Sequence, residues 1–311
     1  MSGSLVLGSR GSDLALWQAR RVAALIGERL GLECRIEIVK TRGDRIQDVA
    51  FAKMEGKGFF TKELQDALLE GRVDLVVHSL KDLPTEEPDG LEVVAVPERA
   101  NPADLLLART GALRQPPDGS AGLEPGAVLG TSSLRRAAQA LDAWPGISVK
   151  ALRGNVPTRV DKLRRGGYDA ILLAAAGLRR LALDLDGLDV VELTPEVMLP
   201  APGQGALAVE ARRDDPSTRL LAALHDPEAA RLVAVERRLL QLLGGGCHLP
   251  LGCLAVPEDG GIRLTAALGA VDDAVTRVSM SRVSAIAADP EAAAHACFEA
   301  LQAAPPELGA P

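Results

Sequence analysis

Residues 61–78 read TKELQDALLEGRVDLVVH, and residues 158–174 read TRVDKLRRGGYDAILLA. Each stretch opens on a threonine, runs through a helix-compatible segment to a glycine (Gly71, Gly166) and, after an aspartate (Asp74, Asp169), enters a short apolar run. A helix cap, a glycine stop and a buried strand in that order belong to an α/β layer. Two similar α/β lobes with a cleft between them account for the echo.

Outward from these two stretches the alternation continues. Residues 5–7 form a short apolar run, and Ser12 and Asp13 are helix-cap types that precede helical spacing over 14–30, ended by Gly31. Strands are expected at 35–40, 74–78 and 91–96, with a helix at 61–69. After Asn101-Pro102, residues 111–127 (GALRQPPDGSAGLEPGA) read as a surface loop, and then come strand 127–129, a helix from about residue 134, strand 147–151, helix 158–165 and strand 170–174. From about residue 226 the texture changes. A long amphipathic helix over 228–243 is followed by strands at 249–256, 262–271 and 275–283 and a helix at 290–303. Strands in series, joined by Gly and Asp turns and flanked by helices, predict a small α+β domain with an antiparallel sheet.

Composition limits what such a chain can do. Its 311 residues suit two or three domains with proper cores. A formal charge of −7, with a pI near 5.3, argues against a nucleic-acid carrier. No apolar run reaches the roughly 18 to 20 residues of a membrane helix, and no secretory signal is visible, so the cytoplasm is the expected compartment. The four cysteines (Cys34, Cys247, Cys253, Cys297) are too few for a disulfide scaffold. With four scattered histidines and no H-E-x-x-H, no metal site is expected, and Cys247-His248 with Cys253 lacks a fourth ligand. Positive charge is nonetheless concentrated: 131–165 holds eight basic residues against two acidic ones.

That charge falls at strand-to-helix junctions. GSRGSD (8–13), GTSSLRR (130–136) and RGNVPTR (153–159) put hydroxyls and guanidiniums where helix N-termini present free N–H groups and where α/β sheets bind ligands. Arg10, Ser12, Thr131, Ser132, Ser133, Arg135, Arg136, Arg153 and Arg159 then converge on an anionic ligand. Serine and threonine are also ordinary caps, and arginines ordinary solvated helix faces; three such junctions in an acidic protein favour the ligand. Arginine suits carboxylate or phosphate, which its planar fork meets with two parallel hydrogen bonds.

Three further stretches could carry chemistry. In VVHSLKDLP (76–84), Ser79, Lys81 and Asp82 end a buried strand, where a carboxylate beside a lysine can stabilise a cation or pass protons. KMEGKGFF (53–60) reads as a glycine-hinged lid with Lys53 and Lys57, and its two phenylalanines are more often core residues than ligand contacts. Cys247 follows three glycines at a helix C-terminus, an irregular setting in which a thiolate needs neighbouring cations.

Nine ordered segments, SRGSDLALWQA, VKTRGD, AKMEGKGFFTKEL, DLVVHSLKDLP, GTSSLRR, LRGNVPTR, YDAILLAAAGLRRL, LPAPGQGA and LLGGGCHLPLG, together resemble the porphobilinogen deaminase (hydroxymethylbilane synthase) family over nearly the whole chain. The resemblance implies an α/β protein of two doubly wound, periplasmic-binding-protein-like lobes with a small C-terminal α+β domain bearing a three-stranded antiparallel sheet. Its implied division is 1–102 with 200–222, 103–199, and 223–311. It implies a transferase that joins four porphobilinogen units, each losing ammonia, on a dipyrromethane cofactor bound to Cys247 through a thioether. Asp82 matches the catalytic aspartate, which stabilises the cationic azafulvene and relays protons. Ser79, Lys81, Ser133, Arg135, Arg136, Arg159 and Arg180 match cofactor-binding positions. Arg10, Ser12 and Arg153 match substrate-binding positions, as do Lys53, Lys57 and Phe60 of the loop, with Phe60 stacking on a pyrrole. A monomer acting on a small molecule, without nucleic acid or membrane, is expected. His248, Leu249, Cys253 and Pro157 depart from related sequences, and Cys253 offers a second thiol beside the glycine motif. The junctions alone also fit a non-catalytic two-lobed anion binder that would not need Cys247.

Overall fold

The computed structural model describes residues 4–40, 61–114, 122–216, 218–246 and 249–308. The chain divides into two compact units, one of residues 1–100 with 203–233 and the other of residues 101–202 with 234–311.

The first unit holds β1 (Leu5–Ser9), α1 (Asp13–Leu30), β2 (Cys34–Ile38), α2 (Lys62–Leu69), β3 (Leu75–Ser79), β4 (Leu91–Ala95) and, returning from far along the chain, β12 (Leu207–Arg212). Its sheet runs β2-β1-β3-β12-β4, with β1 parallel to β2 and β3, and β12 antiparallel to both its neighbours. The Ser12 hydroxyl caps α1 by accepting from the Ala15 N–H, and Gly31 ends it at φ 65°, a left-handed conformation that glycine adopts without a Cβ penalty. Strand alternation builds two core layers. Leu5, Leu7, Leu75 and Val77 face α1 and the 3-10 turn Arg219–Leu224, while Val6 and Val76 face α2.

The second unit repeats this plan with β5 (Asp104–Arg109), β6 (Leu113–Arg114), β7 (Gly122–Leu123), β8 (Val128–Gly130), α3 (Leu134–Ala143), β9 (Ser148–Lys150), α4 (Val156–Arg164), β10 (Ala170–Ala174), α5 (Ala175–Leu181) and β11 (Leu188–Glu192). The sheet, β9-β8-β10-β5-β11, matches the first strand for strand, with three parallel strands, a fourth antiparallel to them and a fifth antiparallel to the fourth. The echo seen in the sequence has an atomic counterpart. Asp74 donates its N–H to the Val6 carbonyl and accepts the Val6 N–H on Oδ2, both at 2.8 Å. Asp169 does the same with Val128, at 2.9 and 2.8 Å. Each aspartate thus locks the start of one parallel strand to its neighbour.

The rest of the second unit follows α6 (Pro227–Leu242), within which the division between units falls. β13 (Leu251–Glu258), β14 (Gly261–Val271) and β15 (Val278–Ala287) form an antiparallel meander, and α7 (Pro290–Ala303), capped by Asp289, packs Ala293, Ala294, Cys297 and Leu301 inward.

Several expectations shift. The loop over 111–127 contains β6 and β7, paired Leu113 to Leu123, and β15 begins three residues later than the expected 275 and ends four later than 283, after a turn in which Asp272 accepts from the Thr276 and Arg277 N–H groups. α4 starts at Val156 rather than 158 because Asn155 supplies the cap and Pro157 fits a first turn that needs no N–H donor. β5, α5, β11 and β12 have no counterpart in the sequence reading. Among the described residues, no helix is long and apolar enough to cross a membrane.

Candidate functional site

β1 and β3 are parallel neighbours, so their carboxyl ends share one edge of the first sheet, the usual binding edge of such sheets. Arg10 and Ser12 follow β1; Ser79 ends β3, and Lys81 and Asp82 lie in the 3-10 turn Leu80–Asp82. The buried Leu80 anchors this turn, donating its N–H to the Ala206 carbonyl at 3.0 Å. Gly203, at φ 72°, lies beneath it, where a Cβ would come 3.2 Å from Leu80 Cγ. Lys81 Nζ donates to Gln204 Oε1 at 3.2 Å, and the buried Gln18 donates Nε2–H to Ser79 Oγ at 2.8 Å. Asp82 is exposed on this anchored turn. Under it, buried His78 Nε2 meets Glu210 Oε2 at 2.9 Å, and Glu210 Oε1 accepts from Gln65 at 2.9 Å.

In the second unit the carboxyl ends of β8, β9 and β10 likewise share an edge. Ser133 caps α3 by accepting from the Arg136 N–H at 3.4 Å. Beyond β9, Arg159 Nε donates to the Gly154 carbonyl at 2.7 Å, and Lys162 Nζ donates to that of Arg153 at 2.9 Å, so the loop into α4 is held by its own cations. Arg180 lies buried on α5.

Arg135 and Arg136 are not on a solvated helix face: they are 5% and 7% exposed. Asp104, Leu106 and Ala108 alternate onto the face of β5 that α3 covers, and Asp104 is fully buried against the first turn of that helix. Arg135 donates one Nη1–H each to Asp104 Oδ2 and the Leu199 carbonyl, both at 2.7 Å. Arg136 donates Nε–H and an Nη2–H to Asp104 Oδ1 at 3.1 and 2.7 Å, and an Nη1–H to the Leu172 carbonyl at 3.1 Å. Burial alone would raise the Asp104 pKa, but the two guanidiniums outweigh it and hold the carboxyl well below the ordinary range. Burial in turn pushes Arg135 down. Two cations against one anion leave this buried trio one net positive charge.

The structure therefore gathers the expected residues as two sets, each on the carboxyl edge of its own sheet. Lys53, Lys57, Phe60 and Cys247 lie outside the described residues. Cys34 and Cys297 are poor nucleophiles. Cys253 and Cys297 are buried with Sγ directed at the carbonyls of Glu236 and Leu264, and burial pushes Cys34 and Cys297 up to about 11. Sequence patterns do not single out Gln18, Gln204 or Asp104; their one signal is a polar side chain inside an apolar segment, which burial makes costly unless paired.

The family model described as porphobilinogen deaminase, dipyromethane cofactor binding domain, matches residues 5–220, and that for the porphobilinogen deaminase C-terminal domain matches 230–302. The porphobilinogen deaminase of Syntrophobacter fumaroxidans is 46% identical over 269 residues, covering 86% of this chain and 84% of that protein. That of Thiobacillus denitrificans is 43% identical over 304 residues, covering 96% and 95%. Among solved structures, an ancestral cationic amino acid solute binding protein aligns with 71% of this chain and 86% of its own at 14% identity and a TM-score of 0.44. With both family models matched in order and relatives this similar over most of its length, the chain is an enzyme of the porphobilinogen deaminase family and carries that family's dipyrromethane-cofactor-binding domain.

Proposed function

We propose that this chain joins four porphobilinogen molecules head to tail, each losing ammonia, on a dipyrromethane attached to Cys247, and that water then cleaves the four-ring chain from this primer as hydroxymethylbilane for tetrapyrrole biosynthesis. The observation that carries this reading is the exposed Asp82 carboxylate on its anchored turn at the end of β3, with Lys81 and Ser79 in the same segment and Arg10 on the same sheet edge. A carboxylate there accepts pyrrole N–H hydrogen bonds, offsets the positive charge that develops as ammonia leaves, and takes the proton released where the new carbon–carbon bond forms. Because Ser79 Oγ accepts from Gln18, its own O–H is left to donate to a substrate or cofactor carboxylate.

The donor set of the second unit fits a carboxylate-rich cofactor. Arg135 Nε is buried and has no hydrogen-bond partner among the described residues, in a trio with one net positive charge. When bound, the dipyrromethane supplies the nucleophilic pyrrole carbon that starts the chain. Ser79, Lys81, Ser133, Arg135, Arg136, Arg159 and Arg180 hold its acetate and propionate groups in this reading, and Arg10, Ser12, Arg153, Lys53, Lys57 and Phe60 receive the substrate. Arginine predominates because its fork meets a carboxylate with two parallel hydrogen bonds. The proposal includes a cytoplasmic monomer that binds neither nucleic acid nor membrane, with 223–311 as the cofactor-bearing domain beside lobes 1–102 with 200–222 and 103–199.

Asp82→Asn tests it. The variant keeps its fold and its cofactor but releases ammonia from porphobilinogen about 10²- to 10⁴-fold more slowly, the usual range for losing a proton-transfer group. Near-normal release in a stopped-time ammonia assay would remove Asp82 from the mechanism.

A further inference from the structure

We propose that Asp104 is a positioning residue: it holds the adjacent Arg135 and Arg136 guanidiniums in the geometry that receives the cofactor's carboxylates, an inference that rests on the role proposed above for those two arginines. Residues i and i+1 on a helix point in different directions, and two cations brought together in a desolvated place repel strongly. In this structure both converge on one carboxylate, and each oxygen serves a different guanidinium: Oδ2 takes Arg135 and Oδ1 takes Arg136 through two of its donors.

The corresponding place in the first unit shows what is specific here. Asp104 opens β5 opposite Ala174, and in the matching sheet Leu207 opens β12 opposite Ser79. The scaffold therefore does not itself require an acid at this position. Asp104 is matched to the arginine pair on α3, and the second anchor of each arginine, the carbonyl of Leu199 or Leu172, completes a fixed frame. Held in this way, Arg135 keeps a buried Nε–H with no hydrogen-bond partner among the described residues, and the trio keeps the single positive charge that a carboxylate neutralises. Without Asp104 the cluster holds two unneutralised cations, and the lowest-energy response is for one side chain to swing out toward water. The charge survives that change, but the preset geometry does not.

Asp104→Asn keeps the shape and removes the charge. Two measurements read the result. In the chain stripped of cofactor, modification of Arg135 and Arg136 by an arginine-selective dicarbonyl reagent, mapped by peptide mass, is expected to accelerate at least tenfold over wild type, at a temperature well below the variant's own thermal midpoint. In chain expressed normally, the fraction carrying the two-ring mass increment is expected to fall at least tenfold. Unchanged labelling overturns the positioning role. Faster labelling with full loading and an unchanged KM for porphobilinogen also overturns it, because Asp104 would then serve stability alone. If wild type itself lacks the increment, the function proposed for the arginines falls and the cofactor half of this inference falls with it, while labelling still decides the positioning half. Should Asp104→Asn yield no folded protein, Asp104→Glu carries both measurements. It retains the charge but displaces it by a methylene, so poor loading of a folded chain supports the proposal and wild-type loading overturns it.

Discussion

At the scale of single residues, the buried carboxylate of Asp104 makes stability depend on pH with a definite sign. Its folded-state pKa is depressed by Arg135 and Arg136. Its contribution is therefore complete above the unfolded-state value of about 3.9 and is lost as the pH falls from there toward the folded-state value. Removing one partner of a buried ion pair costs about 3 to 5 kcal/mol. Urea unfolding should show Asp104→Asn less stable than wild type by roughly that amount, constant between about pH 5 and 7 and shrinking below about pH 4. A gap that widens in acid would contradict this assignment of the charge. The cysteines differ at the same scale: Cys253 and Cys297 are fully buried and burial pushes the Cys297 thiol up to about 11, while attachment of the cofactor at Cys247 belongs to the proposed function.

At the scale of elements, the same sheet order occurs twice, and the close approaches recur with it. Gly8 on β1 and Gly130 on β8 lie against the strand that each aspartate locks in place: a Cβ on Gly8 would come 2.9 Å from Val76 Cγ1, and one on Gly130 would come 2.7 Å from the Tyr168 ring. Neither strand can move away without breaking its parallel ladder. Gly130→Ala should lower stability by about 1 to 3 kcal/mol through overpacking. Gly27→Ala, inside α1, has only the Leu32 carbonyl within 4 Å of the new Cβ, at 3.9 Å, and should stabilise by about 0.5 to 1 kcal/mol through lower unfolded-chain entropy. Thermal midpoints moving in opposite directions would establish the contrast; a shift of the same sign in both would refute it. The sequence made helix ends such as Ser12 and Gly31 legible because caps act within a few residues. It left α5 unread because Ala174 passes from strand to helix with no turn residue between them.

For the whole molecule, the formal charge of −7 coexists with a basic segment on one sheet edge and a buried trio of positive sign. The acidic balance describes the chain as a whole, and the arginine-rich segment describes what it binds in the proposed function. That function also predicts a property of the intact chain. Protein made in a normal host should exceed its sequence mass by two linked pyrrole rings, and the increment should vanish in Cys247→Ala while persisting in Cys253→Ala. An unmodified wild-type mass together with full activity would sink the covalent-cofactor reading.

Periodicity, caps and glycine stops act over a few residues, so α1, β3, β10, α7 and the α/β layering could be read directly from the order of amino acids, as could the motifs that resemble the family. The resemblance placed 200–222 in the first lobe, but tertiary structure alone set β12 antiparallel beside β3, Gln18 on Ser79 and Gln204 on Lys81, and closed Asp104 on Arg135 and Arg136. These partners lie 31 to 136 residues apart. Contacts over such separations depend on how strands are ordered and which faces are buried, and neither leaves a mark in the local sequence.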